Sequence, residues 1–283
     1  MTIKDHSYKV AGGQTGVLLI HGLCGTPSEM RFVANGLARA GYTVHCPTLA
    51  GHCGTDRDVA EATWQQWYES VETALLEMRK TCETVIVGGL STGAVLSLML
   101  AARHPDKVQG LALLAPTLKL NGWGMPWYAR FFCLMPNKWV ANFFRFGDHD
   151  PHGIKDERIR RFFRDALFSG DTTGTGYVFT PGGAVLEHRY LVKETRKMLG
   201  EIKQPVLILH PREDDIADMS NAWEIQRAVA GSVEMVVLED SYHNVTIDRQ
   251  RHVVVDRVGG FVARIVEKVS KRTSAPVPFK IAA

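Results

Sequence analysis

Val85-Ile86-Val87-Gly88-Gly89-Leu90-Ser91-Thr92-Gly93-Ala94-Val95-Leu96-Ser97-Leu98 is the stretch on which the fold of this chain turns. A β-branched run ends in Gly89-Leu90-Ser91-Thr92-Gly93, and an apolar run of helix formers follows at once, so the pattern predicts strand, sharp turn and helix. A serine at the centre of such a turn has its hydroxyl exposed at the C-terminal edge of a sheet. Glycines two residues to either side leave room for the strand to pack closely against the helix. The next backbone N–H groups then point the same way as the hydroxyl. A glycine-rich turn without chemistry shares the five-residue pattern, but the strand before it and the helix after it favour a nucleophile elbow.

Upstream, Val17-Leu18-Leu19-Ile20-His21 is a continuous apolar run of the kind that forms a strand buried on both faces of a parallel sheet. It leads through Gly22-Leu23-Cys24-Gly25 into Thr26-Pro27-Ser28-Glu29. That segment has the form of a capping box, with Glu29 reaching back, and predicts a helix to about Arg39 that Gly41 stops. The short glycine-rich loop either aims a backbone N–H at a neighbouring site or is a plain strand-to-helix turn. Tyr42 to Cys46 reads as another strand. Thr63 to about Lys80 reads as a helix, with Trp64, Trp67, Val71, Leu75 and Met78 forming a core-facing stripe at spacings of three and four.

Downstream of the elbow, Gly110 to Pro116 is a buried strand closed by proline, so strand and helix alternate as in a doubly wound parallel sheet. From about Lys119 to Leu199 the alternation breaks. Trp123, Trp127, Tyr128, Phe131, Phe132, Trp139, Phe143, Phe144 and Phe146 crowd together, and the pairs Trp127/Phe131 and Trp139/Phe143 stand four apart. This predicts short amphipathic helices inserted over the sheet, some of whose aromatics line an apolar pocket, with Trp127 and Phe131 the first candidates. Asp148-His149-Asp150-Pro151-His152 gathers metal-ligand side chains without a zinc spacing and reads as a polar loop. The sheet pattern resumes at Pro205 to His210, followed by the acidic loop Glu213-Asp214-Asp215, and ends with Val233 to Leu238 and the loop Ser241-Tyr242-His243. A final helix is expected from about Asp248, as its N-cap, to Lys268.

Three loops thus offer Ser91, then an acid, then His243, all on the edge to which parallel strands present their C-terminal ends. The chemistry asks for these types in combination. A serine hydroxyl is a weak nucleophile until a neutral imidazole takes its proton, and the imidazole needs a carboxylate to fix its tautomer. The oxyanion that forms needs N–H donors. Thr92, directly after the nucleophile, supplies one, and Leu23 in the early loop is the natural second.

Composition bounds the rest. A chain of 283 residues with 45% hydrophobic and 22% charged residues is long enough for one α/β unit with an insertion, and a formal net charge of +3 gives no reason to expect a nucleic-acid partner. No apolar leader and no uninterrupted apolar run of roughly 18 residues is present, which predicts a cytoplasmic protein without an integral membrane segment. The five cysteines show no CxxC spacing, so free thiols and no metal are expected.

The stretches Leu19 to Thr26, Gly51-His52-Cys53-Gly54, Gly89 to Gly93, Arg212 to Asp215 and Ser241-Tyr242-His243 resemble the carboxylesterase branch of the α/β-hydrolases, near bacterial carboxylesterases and monoglyceride lipases. The resemblance implies an α/β-hydrolase fold with a doubly wound, mostly parallel sheet. The break in the alternation divides the chain into a core of residues 1–118 and 200–270, a helical lid of 119–199 and a tail of 271–283. The resemblance puts the nucleophile on Ser91, the acid on Asp214, the base on His243 and the oxyanion donors on the backbones of Leu23 and Thr92. The family often has glycine where Cys53 and Ala94 stand, and a small hydrophobic residue or methionine at Thr92. The implied activity is cofactor-free hydrolysis of a small-molecule ester, and the aromatics of the insertion predict a hydrophobic acyl group of short to medium length. Thioester hydrolysis and acyl transfer use the same acyl-enzyme chemistry, and a non-catalytic binding protein would keep only the fold. His243 and Asp248 also fit a His-x4-Asp acyltransferase spacing, against which the Ser elbow speaks. Dehalogenases and epoxide hydrolases of this fold carry Asp at the elbow, so Ser91 argues against both.

Overall fold

The computed structural model describes residues 5–125, 132, 135, 137–147, 151–168, 176–177 and 179–273. Its centre is a seven-stranded sheet in the order β1-β3-β2-β4-β5-β8-β9. These strands are β1 (Tyr8–Val10), β2 (Thr15–Ile20), β3 (Thr43–Cys46), β4 (Thr84–Leu90), β5 (Gly110–Leu114), β8 (Val206–Pro211) and β9 (Val233–Leu238). Every pairing is parallel except β1 with β3, which is antiparallel. Periodicity gives no sign of β1, a three-residue strand at the sheet edge too short to show an alternation.

The apolar runs are continuous because both faces of the sheet are covered. Leu18, Ile20, Val85 and Val87 pack on one side with α3 (Trp64–Met78), α4 (Thr92–Arg103) and α8 (Ser220–Ala228). Val17, Leu19, Ile86 and Leu90 pack on the other with α1 (Arg31–Arg39) and α9 (Arg251–Thr273). Neighbouring residues of one strand thus belong to opposite cores, as a period of two demands. Every residue of β4 and β5 is buried.

Local signals place the helix starts. Thr63 caps α3 in a reciprocal box with Gln66, and Thr55 does the same with Asp58 for α2 (Asp56–Glu61). Thr26 opens a 3₁₀ turn, Pro27–Met30, that runs on into α1. The Glu29 carboxylate reaches the Gly22 N–H at 3.2 Å, so it braces the loop after β2. Asp248 corrects the expectation for the last helix, which begins at Arg251. Its buried carboxylate accepts from the N–H groups of Tyr242, Lys155 and Asp156 at 2.8–2.9 Å. Three converging donors satisfy a buried charge better than one helix end would.

The segment between β5 and β8 carries α5 (Lys138–Ala141), α6 (Glu157–Phe168) and α7 (Gly182–Met198); α5 falls on the Trp139/Phe143 pair, and the Trp127/Phe131 pair lies outside the described residues. It also contains a two-stranded antiparallel ribbon of β6 (Arg145–Gly147) and β7 (Phe179–Pro181), of which periodicity gives no sign because each strand is three residues long. Among the described residues no helix is long and apolar enough to cross a membrane.

Candidate active site

The elbow forms where β4 meets α4. Ser91 has φ 56° and ψ −113°, a left-handed backbone that a side chain adopts at a cost of roughly 1–3 kcal/mol. The neighbours leave no alternative. A Cβ on Gly89 would lie 2.5 Å from the Ile20 carbonyl oxygen, and one on Gly93 would lie nearer still. The turn is tied to the next strand by the Ser91 N–H, which donates to the Leu114 carbonyl at 2.9 Å.

The acid and the base come from the loops after β8 and β9. The Asp214 carboxylate accepts from His243 Nδ1 at 2.9 and 3.0 Å and from the N–H groups of Ile216 and Ala217 at 2.9 and 2.8 Å. Burial penalises the Asp214 charge, but the His243 imidazolium and this hydrogen bonding outweigh it and hold the carboxyl below its ordinary value. For His243, burial again works against the charged form, and the Asp214 carboxylate reverses the sign and raises the imidazole above its ordinary value. Asp215 does different work: its buried carboxylate holds the His243 backbone N–H at 3.2 Å and the Gly153 N–H at 2.9 Å. Of the acids in this loop, Asp214 is therefore the one at the imidazole.

Ser91, Leu23, Thr92 and His243 line one cavity of about 210 Å³. Among the described residues neither the Leu23 N–H nor the Thr92 N–H has a hydrogen-bond partner. Two buried histidines fix the loop that carries Leu23. His52 Nε2 accepts from the Cys24 N–H at 3.2 Å while Nδ1 donates to the Ala50 carbonyl at 3.1 Å. His21 Nε2 accepts from the Leu49 N–H at 3.2 Å while Nδ1 donates to the Gly22 carbonyl at 2.9 Å. Both rings must be neutral for this, because a protonated Nε2 would face a donor. Burial, with His52 adding to it at His21, lowers His21 to about 3, and burial lowers His52 to about 4.

Two residues of the site carry no sequence motif. Thr117, in the loop after β5, lies 3.1 Å from the Ser91 hydroxyl. His188, on α7, is buried with Nδ1 3.0 Å from the Thr92 hydroxyl, and burial lowers it to about 4. The only available signal was positional: Thr117 follows Ala115-Pro116 at the sheet edge shared by the three loops. The cavity lining also includes the apolar side chains of Leu120, Met125, Phe132, Phe146, Val185 and Ile216, with Tyr177 and Thr180 among them. Trp127 and Phe131, expected there, lie outside the described residues. Trp139 and Phe143 turn outward as an edge-to-face pair 5.0 Å apart, 73% and 71% exposed. Asp148 to Asp150 also lie outside the described residues, and among those described no group of three metal-ligating side chains is placed to hold an ion.

The chain is similar to known proteins along most of its length. A thermostable monoacylglycerol lipase of Bacillus sp. (strain H-257) is 30% identical over 253 residues, spanning 89% of this chain and 92% of that protein. The carboxylesterase of Bacillus subtilis (strain 168) is 23% identical over 272 residues, covering 94% and 98% of the two chains. Among solved structures, a metagenome-derived lipolytic enzyme from work on LipS and LipT superposes with a TM-score of 0.77 at 27% identity, over 91% of this chain and 97% of its own. The family model for the alpha/beta hydrolase fold matches residues 16–250, from β2 to the start of the last helix. A parallel sheet whose central strand ends in a strained serine, matched by that model over most of its length, makes this chain a member of the α/β-hydrolase fold family.

Proposed function

We propose that the protein is a serine hydrolase that cleaves carboxylic esters bearing a hydrophobic acyl group of short to medium length, by way of an acyl-enzyme. The observation that carries the reading is His243, whose Nδ1 is engaged by the buried Asp214 carboxylate while its ring lines the same cavity as Ser91. With Nδ1–H held in that way, Nε2 is the free base. In the first half-reaction Ser91 Oγ attacks the ester carbonyl and its proton passes to His243 Nε2. The oxyanion is held by the Leu23 and Thr92 N–H groups. Collapse expels the alcohol, which takes the proton from His243. In the second half-reaction water, deprotonated by His243, attacks the acyl-enzyme; the acyl–Oγ bond breaks, the proton passes from His243 to Ser91 Oγ, and the carboxylic acid leaves.

The acyl group lies along the Phe132 and Phe146 wall, where each buried methylene contributes roughly 0.8 kcal/mol, nearly fourfold in kcat/KM. In this reading residues 1–118 and 200–270 form the catalytic core, and 119–199 form a cover over the site. The relatives named for monoacylglycerol and carboxylic esters support the same substrate class. The test is Ser91→Ala assayed on p-nitrophenyl esters from C2 to C8, together with labelling by a fluorophosphonate. Loss of about 10⁶ in turnover is expected, since the remainder comes from the oxyanion donors and binding. Retention of a tenth of the wild-type rate, or label on another residue, would overturn the assignment.

A further inference from the structure

We propose that Thr117 is a positioning residue that holds the Ser91 hydroxyl away from the base in the free enzyme and gives it up when acylation begins. The inference rests on the reading of Ser91 as nucleophile. It starts from one proton. The Thr117 hydroxyl has a single hydrogen, and that hydrogen is donated to the Ala115 carbonyl at 3.1 Å. At the 3.1 Å contact between Thr117 Oγ1 and Ser91 Oγ, Thr117 is therefore the acceptor and Ser91 the donor. His243 Nε2, the atom that must receive the same proton, is buried and has no hydrogen-bond partner among the described residues.

The acceptor is a built feature. Ala115 has φ 42°, a left-handed backbone with no glycine to relieve it, and its carbonyl is what fixes the Thr117 hydroxyl. Its N–H is tied to the Leu209 carbonyl at 2.8 Å, so the strained residue is anchored in the sheet. Two strained non-glycine residues, Ser91 and Ala115, thus meet at neighbouring strand ends, and backbone strain of this kind concentrates where function over-determines geometry.

Before attack, the Ser91 hydroxyl must swing from Thr117 Oγ1 to His243 Nε2. The bond to Thr117 exists in the ground state and is gone in the transition state for acylation, so it slows that step. Deacylation does not sense it, because an esterified Ser91 Oγ has no proton to donate. The isosteric Thr117→Val removes the acceptor. In the labelling reaction Ser91 Oγ bonds to phosphorus, fluoride leaves, and the proton passes to His243.

The experiment measures the second-order rate of labelling of the full-length protein by an alkyl fluorophosphonate, and the burst and steady-state phases on p-nitrophenyl butyrate. One neutral hydrogen bond predicts labelling and burst roughly three- to tenfold faster in Thr117→Val with the deacylation rate unchanged, and a return towards the wild-type rate in Thr117→Ser. A Thr117→Val protein that melts as wild type but labels at the same rate or more slowly overturns the proposal, as does an equal change in acylation and deacylation. If Thr117→Val does not fold, Thr117→Ala is read by the same criteria. A wild-type Ser91 that takes no label at all sinks the nucleophile reading itself, whereas a labelled Ser91 indifferent to Thr117 sinks only this one.

Discussion

The sheet and the segment inserted between β5 and β8 obey different rules. In β4 and β5 every residue is buried, and the apolar side chains belong alternately to one core or the other. In the inserted segment the aromatics divide: Phe132 and Phe146 face the cavity, while Trp139, Phe143 and Phe162 stand more than two-thirds exposed. A buried strand leaves its residues no choice of environment, so hydrophobicity there reports position. A helix laid over a sheet has an inner and an outer face, and aromatic content alone does not say which residue faces where.

The largest test of this contrast lies at the sheet edge. Asp214→Asn should lower kcat by about 10⁴ through the wrong imidazole tautomer. The base works unprotonated, so activity falls as pH drops through the raised His243 pKa; removing the Asp214 charge should also move that acid limb to lower pH. Asp215→Asn should cost far less in kcat, because its carboxylate holds backbone N–H groups and not the ring. A kcat/KM profile in which Asp215→Asn is the crippled variant would reverse the assignment.

Acid stability comes next. His21, His52 and His188 are held at about 3, 4 and 4 against an ordinary 6.5. Between those values and 6.5 the unfolded chain binds more protons than the folded one, so stability rises with pH across that window and is lost as pH falls through it. At about 1.4 kcal/mol per pKa unit each ring withdraws on the order of 3 kcal/mol. Denaturant melts at pH 7.5 and 4.5 should differ by several kcal/mol, and His188→Gln should remove only the part that the inserted segment contributes. Equal stability at the two pH values would break the argument.

Phe132→Ala should flatten the rise of kcat/KM from C2 to C8 esters while leaving the C2 rate within a fewfold of wild type. A wild-type profile that is already flat would mean that the cavity-facing aromatics only anchor the segment. Smallest of all, Trp139→Ser should change stability by no more than about 0.5 kcal/mol, since an exposed side chain away from special features contributes little. A loss above 2 kcal/mol in a thermal or denaturant melt would show that the outer face is covered in solution.

The same contrast explains what could be read from the chain. The strand runs around Leu18, Val85, Leu111 and Leu207, the elbow, the acidic loop and the loop of His243 were legible, because each signal is local and sits at the end of a buried apolar run. Thr117 and His188 were not: each acquires its role from a partner 26 or 96 residues away, across the sheet or from the inserted segment. Asp248 looked like a cap because an aspartate near a helix start usually is one, and only the folded loops show three N–H groups converging on it. Strands of three residues, β1, β6 and β7, are shorter than any period that could announce them.

The contact between His188 and Thr92 ties the inserted segment mechanically to the elbow. α7 packs along α4 and hands its imidazole to the residue whose N–H follows the elbow serine, so a displacement of α7 pulls directly on Thr92. The Gly182 N–H donates to the Phe144 carbonyl at 2.9 Å and Lys138 pairs with Glu187 at 3.2 Å, so α5 and the ribbon lean on the same helix that leans on Thr92.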